Sequence, residues 1–245
     1  MSDVLKQIIA DKVIEVAALK ADPDSRSFAA KAADMPPARG FANALRKSSA
    51  QGYGLIAEFK RASPSRGQIN PDADPANIAQ SYEAGGATCL SVLTDHKYFG
   101  GHIDDMIAAK SATLMPVLRK DFMIDPIQII EARACGADCI LLIMSALSDS
   151  HAAELESCAI EYGLDVLIET HDGEEIERAL NLQSPMIGIN NRNLRTMTTD
   201  LATGEDLMTL IPDDRIAIAE SGLKSSDDLA RMARAGARCF LIGEF

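Results

Sequence analysis

The sequence predicts an α/β protein, a (β/α)8 TIM barrel with an N-terminal helical extension, on three observations. Eight apolar, strand-like runs alternate with helical segments, the arrangement that builds a parallel sheet with crossover helices. At 245 residues the chain is close to the ~250 typical of an eightfold barrel. No GxGxxG follows the first run, where an open doubly wound sheet would place a dinucleotide-binding turn. Residues 1–245 are expected to form one domain, with residues 1–50 as the extension.

In the extension, Leu5, Ile8, Ile9, Val13, Val16 and Leu19 fall on one helical stripe. A second helix is expected after Pro36-Pro37, running through Phe41 and Leu45. Such helices either plug one end of the barrel or overhang its mouth, and periodicity fits both. The strands are read at LIAEFK, CLSVLTD, PVLRKDF, CILLIM, DVLIET, MIGINN, RIAIAES and CFLIGEF. Asp74-Pro75 and Asp125-Pro126 each set an N-cap side chain before a proline at the first helical position, so these aspartates are assigned to capping. Ser225 with Asp228 forms a capping-box-like start. EAGGATC, RACGADC and RAGARC each offer a glycine for a left-handed turn between a helix and the next strand. The eighth run ends at Phe245, so the final barrel helix is expected to be absent from this chain.

Hydrophobic residues make up 47% of the chain and charged residues 24%, the balance of an ordinary globular protein. With 24 basic against 36 acidic residues the net charge is −12, which argues against a nucleic-acid partner or an anionic membrane surface. An anionic ligand must then be attracted locally. No stretch approaches the ~20 apolar residues of a membrane span, and the first 20 residues lack a secretion-signal pattern. The five cysteines (Cys89, Cys135, Cys139, Cys158, Cys239) are odd in number and lack CxxC spacing, as expected of buried thiols in a cytoplasmic protein. His96, His102, His151 and His171 show no metal-ligand spacing, so no metal is expected, and His151 and His171 are read as helix-start residues.

The active site of such a barrel lies at the C-terminal ends of the strands, where alternate residues point inward. Ile56, Glu58 and Lys60 share one face of the first strand, and Leu118 and Lys120 share one in the third. The same parity joins Leu167 to Glu169, Gly188 to Asn190, and Ile216 and Ile218 to Glu220. Strand tips that merely reached water would scatter their charges over both faces, whereas here five strands aim a polar side chain at one mouth. Two lysines and three carboxylates in a low-dielectric mouth shift one another's pKa values, so that one site holds an acid and a base near neutrality. Arg119 and Asp121 have the opposite parity and are expected to pair with surrounding helices or loops. Phe122 either packs under its loop or stacks against an aromatic ligand, and ligand contact is the preferred reading.

Phosphate binding in this architecture uses backbone N–H groups from glycine-containing loops after the seventh and eighth strands. Those loops begin here with Glu220-Ser221-Gly222 and Gly243-Glu244-Phe245. The segment KRASPSRG after the first strand adds Ser63, Ser65 and Arg66 near the mouth.

Together, IAEFKRASPSRG, SVLTDHKYFGG, PVLRKDFMIDPIQIIEAR, IGINNRNLRT, AESGL and LIGE resemble the indole-3-glycerol phosphate synthase family, in order from the first strand to the last residue. The resemblance implies a carbon–carbon lyase of tryptophan biosynthesis that needs no cofactor. Its reaction would be ring closure of 1-(2-carboxyphenylamino)-1-deoxyribulose 5-phosphate, with loss of carbon dioxide and water. It implies a general acid in Lys120, an acid/base partner in Glu169, and a Lys60 that contacts the substrate's anionic groups and shares proton transfer. Glu58, Asn190 and Glu220 match residues that position these groups and the anilino nitrogen. Ser63, Arg192, Ser221, Gly222, Gly243 and Glu244 match substrate- and phosphate-binding positions, and Phe99 and Phe122 match the wall around the anthranilate ring. Glu244 stands where many members carry a small hydroxylated residue, so its backbone N–H rather than its side chain is expected on the phosphate. The resemblance also implies a monomer acting on a small phosphorylated substrate.

On the residues themselves two other functions stay open. A Schiff-base lyase or aldolase on the same barrel would use Lys120 as nucleophile. A barrel without its last helix would bind a phosphorylated ligand and not turn it over. A phosphoribosylanthranilate isomerase is disfavoured, because a cysteine and an aspartate would be expected as its acid/base pair where Glu58 and Asn190 stand.

Overall fold

The computed structural model describes residues 2–64, 67–193, 196 and 198–243. Helix α1 (Asp3–Ala21) starts on Ser2, whose side chain accepts a hydrogen bond from the Leu5 N–H. A 3-10 turn (Pro23–Ser27) and α2 (Phe28–Asp34), neither expected from the sequence, lead to α3 (Phe41–Ser49). Then come β1 (Gly54–Phe59), a short ribbon of β2 (Ala62–Ser63) and β3 (Gly67–Gln68), α4 (Pro75–Ala84) and β4 (Cys89–Leu93). The chain continues through α5 (His96–Phe99), α6 (Ile103–Ala112), β5 (Val117–Lys120), α7 (Pro126–Ala134) and β6 (Cys139–Ile143). It ends with α8 (Asp149–Glu161), β7 (Asp165–Thr170), α9 (Gly173–Ala179), β8 (Met186–Asn190), α10 (Leu201–Met208), β9 (Ile216–Glu220), α11 (Ser226–Ala235) and β10 (Cys239–Ile242).

All eight expected strands are present. They close into one parallel barrel in the order β1, β10, β9, β8, β7, β6, β5, β4. β1 completes the ring, pairing Ile56 with Cys89 on one edge and Gly54 with Cys239 on the other. Strand alternation sorts the apolar side chains into two layers. Along β6, Cys139, Leu141 and Ile143 join Ile56, Leu118 and Leu167 inside the barrel, while Ile140 and Leu142 pack outward against helices. The caps form as expected. Asp74 accepts from the N–H groups of Ala76 and Asn77 at 2.8 and 3.1 Å, and Ser225 from that of Asp228 at 3.2 Å. Asp125 forms a full capping box with Gln128.

The two ends of the barrel are closed differently. Phe41 and Leu45 of α3 are fully buried beneath the strands, beside Cys89 and Leu118, and the Ala42 N–H donates to Asp165 Oδ2 at 3.0 Å. Helix α1 lies at the opposite end, where Ser2, Leu5 and Ile8 line the mouth. One helix therefore plugs and the other overhangs.

The stripe expected on α1 needs correction. Leu5, Ile8 and Val16 are buried and Ile9 and Leu19 half-buried, but Val13 is 55% exposed. Lys12 takes the buried place, with its ammonium group 2.9 Å from Asp95 and 3.0 Å from Asp121. Those carboxylates sit on the loops after β4 and β5, and an apolar period does not register them.

Candidate active site

A cavity of about 430 Å³ opens at the C-terminal ends of the strands. Lys120, the last residue of β5, stands among three carboxylates: its Nζ is 2.9 Å from Glu220, 3.4 Å from Glu169 and 3.9 Å from Glu58. Lys60 donates to Glu58 Oε1 at 3.1 Å, and the Asn190 amide donates to Glu169 Oε1 at 3.2 Å. All six residues line the cavity, so the strand parity read from the sequence brings them together. Two glycines leave room for the carboxylates. A Cβ at Gly188 would lie 2.3 Å from Glu220 Oε1, and one at Gly243 2.6 Å from Glu58 Oε1.

The charges do not titrate alike. Burial disfavours the Lys120 ammonium ion, but Glu220, Glu169 and Glu58 outweigh it and hold the pKa above that of an ordinary lysine. Burial also pushes the Glu169 carboxyl up, yet Lys120 and His171 prevail and hold it well below the usual carboxylate range. Glu220 goes the other way. Burial, with Glu169 and Glu58 nearby, pushes it up to about 7 against the pull of Lys120. Near neutrality Glu169 is thus ionised and Glu220 shares a proton, the separation that lets similar groups take opposite acid/base roles.

Around this cluster the cavity divides by polarity. Phe99 and Phe122, with ring centroids 6.2 Å apart, line it together with Leu141 and Ile143. Ser63 is buried against it, and Arg192 lines it while its backbone N–H donates to Asn190 Oδ1 at 3.1 Å. Ser221 and Gly222 follow β9 with φ of 65° and 79°, consecutive left-handed residues of which the first is not glycine. Both line the cavity, as does Gly243. A turn of this kind presents successive backbone N–H groups, the donor type that holds anions. Ser65, Arg66 and Glu244 lie outside the described residues. Arg119 and Asp121 pair with surrounding helices and loops as expected, Arg119 donating to Glu131 at 2.7 Å and Asp121 meeting Lys12 of α1, and Asp121 also lines the cavity.

The sequence matches the family model for indole-3-glycerol phosphate synthase over residues 5–245. The chain belongs to the indole-3-glycerol phosphate synthase family. The synthase of Azospirillum brasilense is 56% identical over 245 residues, covering 100% of this chain and 94% of that one. That of Rhodospirillum rubrum is 55% identical over 246 residues, with 100% and 94% covered. Its activity is accordingly that of an indole-3-glycerol phosphate synthase, a carboxy-lyase of tryptophan biosynthesis. Among solved structures, the N-acetylmannosamine-6-phosphate 2-epimerase from Clostridium perfringens superposes with a TM-score of 0.60 at 12% identity, over 78% of this chain and 86% of that one. A structure described as native KDPGal superposes with a TM-score of 0.53 at 20% identity, over 77% and 82%. These two likenesses bear on the fold alone.

Residues that strand parity did not single out also lie in or beside the synthase site. Val4, Leu5 and Ile8 reach it from α1. His171, read from the sequence as a helix-start residue, does precede the N-cap Asp172 of α9, but its Nε2 also lies 3.2 Å from Glu169 Oε1. It stands at the same spacing from Glu169 as Lys60 from Glu58, and that spacing was the available signal.

Proposed function

We propose that the cluster around Lys120 carries out the synthase reaction on 1-(2-carboxyphenylamino)-1-deoxyribulose 5-phosphate. The observation that carries this assignment is geometric: the Lys120 ammonium group lies 2.9 Å from Glu220 and 3.4 Å from Glu169 in the cavity at the barrel mouth, and their charges hold it protonated. In ring closure, the ring carbon that bears the carboxylate bonds to the ketone carbon, and Lys120 gives a proton to the ketone oxygen, which becomes a hydroxyl. Departure of carbon dioxide restores the aromatic ring. In the dehydration the hydroxyl takes up a proton and leaves as water, while a proton departs from the adjacent carbon to form the indole double bond. Glu169, starting as a carboxylate, serves as the acid/base group of that step. A positioned acid or base of this kind contributes ~10²–10⁴-fold.

The remaining residues hold the substrate. Lys60 contacts its anionic groups and shares proton transfer, Glu58 anchors both lysines, Asn190 orients Glu169, and Glu220 orients Lys120 and meets the anilino nitrogen. Ser221, Gly222 and Gly243, with the backbone of Glu244, bind the phosphate, and Ser63 and Arg192 contact the substrate. Phe99 and Phe122 enclose the anthranilate ring. Holding both ends folds a flexible chain so that ring carbon and ketone meet.

A Schiff-base lysine would need a lowered pKa to present a neutral amine. The carboxylates around Lys120 push the other way, which disfavours that reading. The enzyme is further taken as one domain, monomeric and cytoplasmic. Its five cysteines are free thiols, which suits a reducing compartment. The test is incubation with the carboxyphenylamino-deoxyribulose phosphate, following indole-3-glycerol phosphate by its fluorescence. Product formation that is lost in Lys120→Ala is expected. Absence of product from folded protein that still binds substrate would favour a binding-only barrel.

A further inference from the structure

Two carboxylates flank Lys120, and the lysine does not explain why they differ. Glu220 is the nearer to Nζ, at 2.9 Å against 3.4 Å for Glu169, yet Glu169 is the one held ionised. Glu169 and Glu58 raise the carboxyl of Glu220, and the far side of Glu169 adds a second difference, because His171 and Asn190 lower its own. His171, two residues further along the chain, sets Nε2 3.2 Å from Glu169 Oε1 and Nδ1 3.0 Å from Glu175 Oε2 in the first turn of α9. Glu175 Oε2 also accepts the His171 backbone N–H at 2.9 Å, which fixes the ring from behind. The approach to Glu169 has the distance of an ion pair without the alignment of a full hydrogen bond, so its first effect is on charge.

An imidazole with a carboxylate at each ring nitrogen can donate to both only as the imidazolium ion. Burial disfavours that form, but Glu169 and Glu175 outweigh it and push the ring up to about 10. The surrounding charges are Lys120 from β5, which faces Glu169, and Glu220 from β9 and Glu58 from β1, which share that lysine. Neutral Asn190 from β8 donates to Glu169, and the N-cap Asp172 adjoins His171 in the chain. His171 does not line the cavity, so it acts through Glu169 and not on the substrate.

We propose that His171 is a positioning residue of the synthase: as an imidazolium bridging Glu169 and Glu175, it keeps Glu169 ionised and leaves the site's shared proton on Glu220. This role follows only if Glu169 is the acid/base group assigned above.

Histidine-selective ¹⁵N labelling with long-range ¹H–¹⁵N NMR reads the protonation of each of the four histidines, and His171→Gln assigns the signal. A doubly protonated His171 ring at pH 8, turning neutral only near pH 10, is expected. A neutral ring at pH 8 overturns the proposal. In kinetics, His171→Leu is expected to lower kcat about tenfold with KM within about twofold, and to move the acid-side loss of kcat upward by about one pH unit. His171→Gln keeps a donor and loses the charge; kcat recovers to within about threefold of wild type while the shifted limb persists. An acid limb unmoved in both variants, with only the melting temperature lowered, overturns the role. Glu169→Gln separates the two levels. If it keeps wild-type turnover, the assignment of Glu169 fails and His171 with it; if it is crippled while both His171 variants behave as wild type, only the positioning role fails.

Discussion

The ammonium group of Lys12 and the carboxylate of Asp121 lie 3.0 Å apart in the interior, with 4% and 3% of their side chains exposed. Burial works against both ions. Asp121 and Asp95 nonetheless hold Lys12 charged, while Arg119 and Lys12 hold Asp121 below the usual carboxylate range. Asp121 also accepts from Thr94 at 2.6 Å and follows Lys120 in the chain, so α1 is pinned one residue away from the proposed acid. Removing one partner of a buried pair strands the other. Lys12→Met is therefore expected to cost ~3–5 kcal/mol of stability and to raise KM more than it lowers kcat, because α1 roofs the mouth without reaching the reacting atoms. Denaturant unfolding and steady-state kinetics check both. Unchanged values would mean that apolar contacts alone hold α1.

Glu220 gives stability a pH dependence of definite sign. Its carboxyl is pushed up to about 7 in the folded protein. An unfolded glutamate titrates near ~4.3, so between these values the folded state binds more protons and stability falls as pH rises. Glu220→Gln carries no such slope. The variant is expected to gain on the wild type between pH 5 and pH 8 in urea unfolding, and a constant difference would show Glu220 ionising as an ordinary carboxyl.

Gly188 is a steric support for Glu220, since a methyl group there would lie 2.3 Å from Oε1. β8 pairs with β9 on that side, so the backbone has little room to yield and the carboxylate must move. Gly188→Ala is expected to lower kcat about 100-fold, the scale of an ångström-sized displacement in a catalytic group, with far less effect on the melting temperature. Wild-type turnover would mean that Glu220 finds an equivalent position.

The six polar residues of the mouth were legible because parity along a strand is local: each charge sits two or four residues from an inward apolar side chain on its own strand. Barrel closure then makes local parity into a common site. Lys12 was not legible, since its partners Asp95 and Asp121 belong to distant loops and Val13 fits the apolar stripe better. The unlike behaviour of Glu169 and Glu220 was hidden for a related reason. It depends on charges that β1, β5, β7 and β9 bring together, and on a histidine whose position before a helix offers a simpler explanation. Ser221 at φ 65° was visible only as part of a glycine-containing turn.

Replacing Lys120 by arginine separates its charge from its proton. Arginine keeps a cation among Glu58, Glu169 and Glu220 but does not release its proton at neutral pH. If Lys120 is the general acid, Lys120→Arg is expected to bind substrate and lose kcat by ~10²–10⁴-fold. Lys120→Met goes further and leaves three buried carboxylates without their shared cation. Those carboxyls then take up protons, so its stability should fall below that of Lys120→Arg mainly on the alkaline side, where protonation is costly. Substrate binding by calorimetry, kcat, and unfolding at two pH values distinguish the cases. Near-wild-type turnover by Lys120→Arg would assign the lysine to electrostatic stabilisation of the developing oxyanion and move the proton donor elsewhere, with Lys60 the next candidate, hydrogen-bonded to Glu58 at 3.1 Å.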